Sequence, residues 1–215
     1  MIDTNDLFCI CNMPLPPAGV VAEIVASIQN DNDPQFTIRK SITDQQLKVI
    51  HNSTHFSVNK EKYSRAVYRR YNLGRLTDEW IRDNIASEYS QMGSQVMHRG
   101  DAFFPHTDGG PRRYILNYLV DAGGDAVETR WYQEPKYGLY REGDAMQWPD
   151  RSNLNVIHSE IFPVKSWTCL FGKVIHGVVG LTGPRMQLSI SFSAEEFLKL
   201  KERHGIMLKI GRAHV

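Results

Sequence analysis

The chain has 215 residues, 41% of them hydrophobic, and a formal net charge of +1. That length fits one domain, or one domain with an extension, and the composition is that of an ordinary globular protein. The near-neutral charge argues against nucleic acid or a membrane surface as partner, and no apolar run approaches the roughly 20 residues that span a bilayer.

Asp3 and Asp6, with no basic stretch before the first apolar patch, speak against a secretory signal. Cys9, Cys11 and Cys169 make an odd count with no disulfide framework, which fits a reducing, cytoplasmic setting. No further metal ligands lie near Cys9 and Cys11, so these read as buried thiols. Residues 1–16 are expected to be extended or irregular. Pro14, Pro16 and Pro17 forbid a helix there but can open one, and Val20, Val21, Ile24, Val25 and Ile28 then share a helical face from Gly19 to Gln29. Asn30 to Pro34 reads as a turn, and residues 43–50 fit either a short helix or a strand edge. Residues 55–75 interleave Lys, Arg and Tyr. That stretch could hold a polyanion, but a solvated element with aromatic anchors is the simpler reading. Leu76 to Ser90 is expected to be a helix with Thr77 as N-cap and Trp80, Ile81, Ile85 and Tyr89 as its buried stripe, ended by Gly93.

From Ser94 onward short β-patterned runs alternate with turns. Strands are expected at 95–99, 103–108, 114–120, 127–133, 145–148, 156–162, 167–171, 173–179 and 185–193. Arg185 to Ser193 alternates polar and apolar residues throughout. Turns are expected at 121–125, 142–144, 149–153 and 182–184, and a closing helix at 194–203. About eight strands behind a helical N-terminal third predict an α+β chain, mainly β, with a double-sheet jelly-roll core. The expected organisation is a helical support region over 1–93, a double-stranded β-helix core over 94–193 and a C-terminal helix over 194–208. Residues 209–215 resemble the translation of a sequencing adapter and are expected to be a non-native tail. Such a tail and the small size fit a phage- or microbe-encoded protein.

Within the β-rich part, Phe-Phe-Pro-His-Thr-Asp-Gly-Gly puts His106 and Asp108 two residues apart, on one face of a strand if the strand is extended. His176 follows in a strand of its own, and Arg185 opens the next. Two imidazoles and one carboxylate on three corners of a metal leave three positions open, the set that suits non-haem Fe(II).

The order His106-Thr-Asp108, Ile-Leu-Asn-Tyr118-Leu119, Pro163-Val-Lys-Ser-Trp-Thr-Cys-Leu-Phe, His176, Arg185 resembles the Fe(II)- and 2-oxoglutarate-dependent dioxygenases. Within them it is most similar to the prolyl-hydroxylase branch. The resemblance covers Ser94 to Phe192. It implies iron ligation by His106, Asp108 and His176, with Arg185 and Tyr118 on the distal carboxylate of 2-oxoglutarate. It implies Fe(II), 2-oxoglutarate and dioxygen as cofactor and co-substrates, and hydroxylation of a peptidyl residue or small molecule. Halogenating relatives lack the metal carboxylate, which is present here as Asp108. Where another branch has Arg-x-Ser, this chain has Arg185-Met-Gln187, leaving Tyr118 or Ser94 to supply a hydroxyl.

Two other readings stay open: a cupin-like metal oxygenase that does not use 2-oxoglutarate, and a non-catalytic jelly-roll binding module. His98, His158, Arg112, Arg113, Trp131, Trp148 and Trp167 could each reach a substrate. Their ordinary readings are surface His, solvated loop Arg and core Trp.

Overall fold

The apolar run Asp-Leu-Phe-Cys-Ile-Cys forms strand β1 (Asp6–Cys11). Pro14, Pro16 and Pro17 then hold the chain out of helix until α1 (Ala18–Gln29), which buries Val20, Ile24 and Ile28 on the expected face. The structure, a computed structural model, describes residues 6–29, 36–39, 66–97, 105–108, 112–134, 140–142, 145–147, 154–205 and 209–212. The turn expected at 30–34, the segment 43–50, most of the basic stretch before residue 66, His98 and Trp148 lie outside them.

Helix α2 (Arg75–Asn84) starts earlier and ends sooner than its sequence pattern predicts. Gly74 is the N-cap and offers no side chain. Thr77, the expected cap, is buried inside the first turn. Its N–H donates to Glu23 Oε2 at 2.7 Å, and its hydroxyl donates to the same oxygen. A carboxylate borrowed from α1 therefore satisfies the amide end of α2, where the helix dipole favours negative charge. Tyr89 falls beyond the helix. Its hydroxyl donates to Asp78 Oδ1 at 2.5 Å and accepts from Arg82 Nη2 at 2.8 Å, while its ring, like that of Trp80, packs half-buried against the cluster that holds Ile81 and Ile85. Helix α3 (Ala194–His204) follows its pattern: Ser193 and Glu196 form a capping box, and Gly205 ends it at φ 58°.

Two antiparallel sheets form the core. The larger, in spatial order, holds β14 (Lys209–Arg212), β1, β11 (Trp167–Phe171), β6 (Tyr114–Asp121), β13 (Arg185–Phe192), β4 (Gln91–Met97), β3 (Ala66–Tyr71) and β2 (Phe36–Arg39). The smaller holds β10 (Val156–Glu160), β7 (Glu128–Tyr132), β12 (His176–Val179), β5 (His106–Thr107), β9 (Ala145–Gln147) and β8 (Tyr140–Glu142). Strands β4 to β7 pass alternately between the sheets, and so do β10 to β13. That winding makes a jelly roll with flanking helices. The region before residue 94 supplies α1 and α2, and it also supplies β1, β2 and β3 to the larger sheet itself. Residues 209–212, within the segment expected to be a non-native tail, run as an edge strand beside β1.

The alternation of β13 sorts the interior. Leu188, Ile190 and Phe192 pack against Val20, Ile24, Ile81, Ile85, Phe197 and Leu200 beneath the helices. Arg185, Gln187, Ser189 and Ser191 occupy the other face and are buried too. Apolar residues of both sheets, including Phe8, Leu119, Trp131 and Leu170, form a second cluster, with Phe8 stacked on Trp131 at 5.0 Å. The polar face of β13 thus sits inside the sandwich, where a polar side chain needs a partner. Among the described residues no helix is long and apolar enough to cross a membrane.

Candidate metal centre

Strand β5 is only two residues long, His106 and Thr107, and pairs with the start of β12 so that His106 lies opposite His176. The β11–β12 turn then fixes Asp108. The Asp108 N–H donates to the Gly172 carbonyl at 2.7 Å, and Lys173 Nζ donates to the Asp108 carbonyl at 3.0 Å. Gly172 is required by space: a Cβ there would stand 2.8 Å from Asp108 Oδ2 and 2.9 Å from the Arg112 carbonyl oxygen.

These constraints bring one ligand atom from each of His106, Asp108 and His176 within 4.8 Å of one another. The two rings are 4.6 Å apart at 47°, and His176 Nε2 is 3.6 Å from Asp108 Oδ2. His176 Nδ1 is 2.9 Å from the Val174 carbonyl, which can only accept, so Nδ1 carries the proton and Nε2 keeps its lone pair. Asp108 Oδ2 is buried and has no hydrogen-bond partner. A carboxylate oxygen taken from water and left unpaired is costly, as is a nitrogen lone pair aimed at it. A cation seated between them removes both costs. The donor set, two imidazoles and one carboxylate, suits Fe(II), and the residues present fit that ion.

Arg185 is a second buried charged group. It is 5% exposed, and its Nε lies 3.5 Å from Gln187 Oε1. Among the described residues no carboxylate forms an ion pair with it, and burial lowers its guanidinium to about 10. The side chain is therefore a buried cation at neutral pH. Its strand begins where the barrel is closed by the 121–125 turn, whose Gly123 carbonyl accepts from Thr182 N–H at 2.9 Å and Gly183 N–H at 2.8 Å. Strand β12 runs from His176 to that closed end in three steps, roughly 10 Å at the rise of a strand. A row of carboxamides continues from Arg185: Gln187 Nε2 donates to Gln95 Oε1 at 2.9 Å and to Asn117 Oδ1 at 3.5 Å.

Tyr118 is not brought to this row. It lies opposite Leu188 and Trp167 in the ladder and packs in the helix-side cluster, its ring 5.1 Å from Trp167. Burial raises its phenol. Ser94, the other hydroxyl candidate, also faces the helices, 2.6 Å from the Ser27 hydroxyl of α1. The strand period places Asn117 on the inner face and Tyr118 on the outer one, so the role given to Tyr118 is corrected. The polar groups beside Arg185 are Gln187, Gln95 and Asn117. Only Gln187 had a signal in the sequence, the polar phase of the β13 alternation read from Arg185 onward; Gln95 and Asn117 come from β4 and β6.

Arg112 was read as a solvated loop residue, but its Nη2 is 3.5 Å from Asp108 Oδ1 and its Nε donates to Ser191 Oγ at 3.1 Å. Arg113 is exposed. Trp131 and Trp167 are fully buried core residues, and His158 lies against Phe8 and Trp131. Cys9, Cys11 and Cys169 are free and buried on the helix side, where burial pushes the Cys169 thiol up.

No family model and no curated protein matches the chain. Among the solved structures that match, two give the level of similarity. One is E. coli ycfD, at TM-score 0.39 and 10% identity, covering 88% of this chain and 56% of that one. The other is SnoN, a non-heme alpha ketoglutarate dependent epimerase from nogalamycin biosynthesis, at TM-score 0.39 and 12% identity, covering 98% of this chain and 91% of that one. The chain thus spans little more than half the length of ycfD. At this level of similarity neither protein's activity transfers to it.

Proposed function

We propose that the chain is an Fe(II)- and 2-oxoglutarate-dependent oxygenase of the prolyl-hydroxylase-like branch that hydroxylates a peptidyl residue or small molecule. The observation that carries this reading is a pair of complementary deficits in one fold. Asp108 Oδ2 is buried without a hydrogen bond, in a group with His106 and His176 whose ligand atoms could hold a cation. Arg185 is buried and forms no ion pair with a carboxylate among the described residues. A metal ion meets the first need and a dicarboxylate reaching toward the closed end meets the second.

His106, Asp108 and His176 would hold Fe(II). The bound iron supplies the chemistry that uses dioxygen. In the overall reaction one oxygen atom enters the C–H bond of the substrate. The other enters 2-oxoglutarate, which leaves as succinate and carbon dioxide. Arg185 fixes the distal carboxylate of the co-substrate, which a planar guanidinium matches in shape. The carboxamides of Gln187, Gln95 and Asn117 keep the neighbouring polar volume hydrogen-bonded. The apolar cluster around Trp131 excludes water from the adjoining half of the sandwich.

Succinate formation from 2-oxoglutarate under air tests the reading. The chain is expected to form succinate with Fe(II), and His106→Ala and Asp108→Ala are expected to lose it. Full turnover in either variant overturns the assignment of the metal ligands.

A further inference from the structure

We propose that Arg112 is a positioning residue that holds the metal carboxylate of Asp108 in a one-oxygen presentation. The inference rests on the metal reading above. Three observations carry it. First, the two Asp108 oxygens have different surroundings: Oδ1 faces Arg112 Nη2 at 3.5 Å, while Oδ2 faces His176 Nε2 at 3.6 Å and has no hydrogen bond. The guanidinium occupies one oxygen and leaves the other for the cation.

Second, Arg112 is itself fixed from the opposite sheet. Its Nε donates to Ser191 Oγ near the end of β13, and Ser191 is 1% exposed. Third, the backbone beside Arg112 is tied at both ends. The Arg113 N–H donates to the Phe192 carbonyl at 3.1 Å, and the Gly172 N–H donates to the Arg113 carbonyl at 3.0 Å. Gly172 is the residue whose carbonyl holds Asp108 N–H. One guanidinium thus couples a strand of the larger sheet to a ligand beside the smaller one. Losing a group that orients a metal ligand typically costs about 10- to 100-fold in metal affinity.

Bare electrostatics and positioning predict opposite outcomes. A cation next to the site repels a divalent ion, so charge alone predicts tighter metal binding once Arg112 is removed. Positioning predicts weaker binding. Lysine separates the two further, because it keeps the charge and loses the planar fork.

The test is anaerobic titration of the apoprotein with Co(II), read by visible d–d absorption. Arg112→Met and Arg112→Lys are both expected to weaken Co(II) binding by about 10- to 100-fold, with the apoprotein's far-ultraviolet circular dichroism that of the parent. Ser191→Ala removes the Nε contact without altering charge and is expected to weaken it a few-fold. It carries the test if Arg112→Met does not fold. Binding in Arg112→Met as tight as in the parent chain, or tighter, overturns the proposal, as does full rescue by lysine. If the parent chain itself binds no Co(II), the metal reading has failed, and this inference falls with it.

Discussion

Arg185 shows how one side chain can cost stability and serve binding at once. Burial holds its folded value at about 10, below the ordinary arginine value. Between those values the unfolded chain binds more protons, so stability rises with pH in that window. Below it the cost of burying the cation is present in full. Arg185→Met removes that cost and is expected to stabilise the ligand-free protein by about 1–3 kcal/mol at neutral pH, measured by urea unfolding. The same variant is expected to lose the rise in thermal midpoint that 2-oxoglutarate gives the parent chain. A less stable Arg185→Met protein contradicts the picture of an unpaired buried charge. At this scale the sequence was legible where residue type and strand order bring ligand-type side chains together, as in the grouping of His106, Asp108 and His176. It was not legible for Arg112, which bridges Asp108, four residues before it, to Ser191, 79 residues after it.

At the scale of elements, two short features position the site and the helices that back it. Gly172 lets the β11–β12 turn close on Asp108. Gly172→Ala sets a Cβ against Asp108 Oδ2 and the Arg112 carbonyl. It is expected to weaken metal binding by at least about 10-fold while the far-ultraviolet circular dichroism stays that of the parent; unchanged metal affinity contradicts the packing described. Glu23 caps α2 from α1. Glu23→Ala is expected to cost about 1–2 kcal/mol in urea unfolding, whereas Glu79→Ala on the exposed face costs little. The sequence pattern located both helices within a few residues, because apolar periodicity is local. It misassigned the α2 cap because the capping carboxylate lies 54 residues away. Tyr118 was misread for a related reason. In β6 the residues from Ile115 to Leu119 are all buried, so burial gives no phase, and only the helices behind the sheet decide which face is outside.

At the scale of the whole molecule, the jelly roll places its ligands by winding. His106 and His176 meet because β5 and β12 are neighbours in the smaller sheet, although 70 residues separate them in the chain. Arg185 follows because β13 begins where β12 has turned at the closed end. The alternation of strands and turns announced this architecture, and the regular spacing of short strands is what made it readable. The contribution of β1, β2 and β3 to the larger sheet was not readable, since strands of four to six residues carry too few alternations to stand out.

The most direct test of the account is anaerobic titration of the apoprotein with Fe(II) and then 2-oxoglutarate, watching for the visible metal-to-ligand charge-transfer band. The account predicts stoichiometric Fe(II) binding and a band on adding 2-oxoglutarate, lost in His176→Ala and much weakened in Arg185→Ala. Iron binding without the band would mean a metal centre that does not take this co-substrate, and Arg185 would need another anion. Folded protein that binds no iron would contradict the account at its centre.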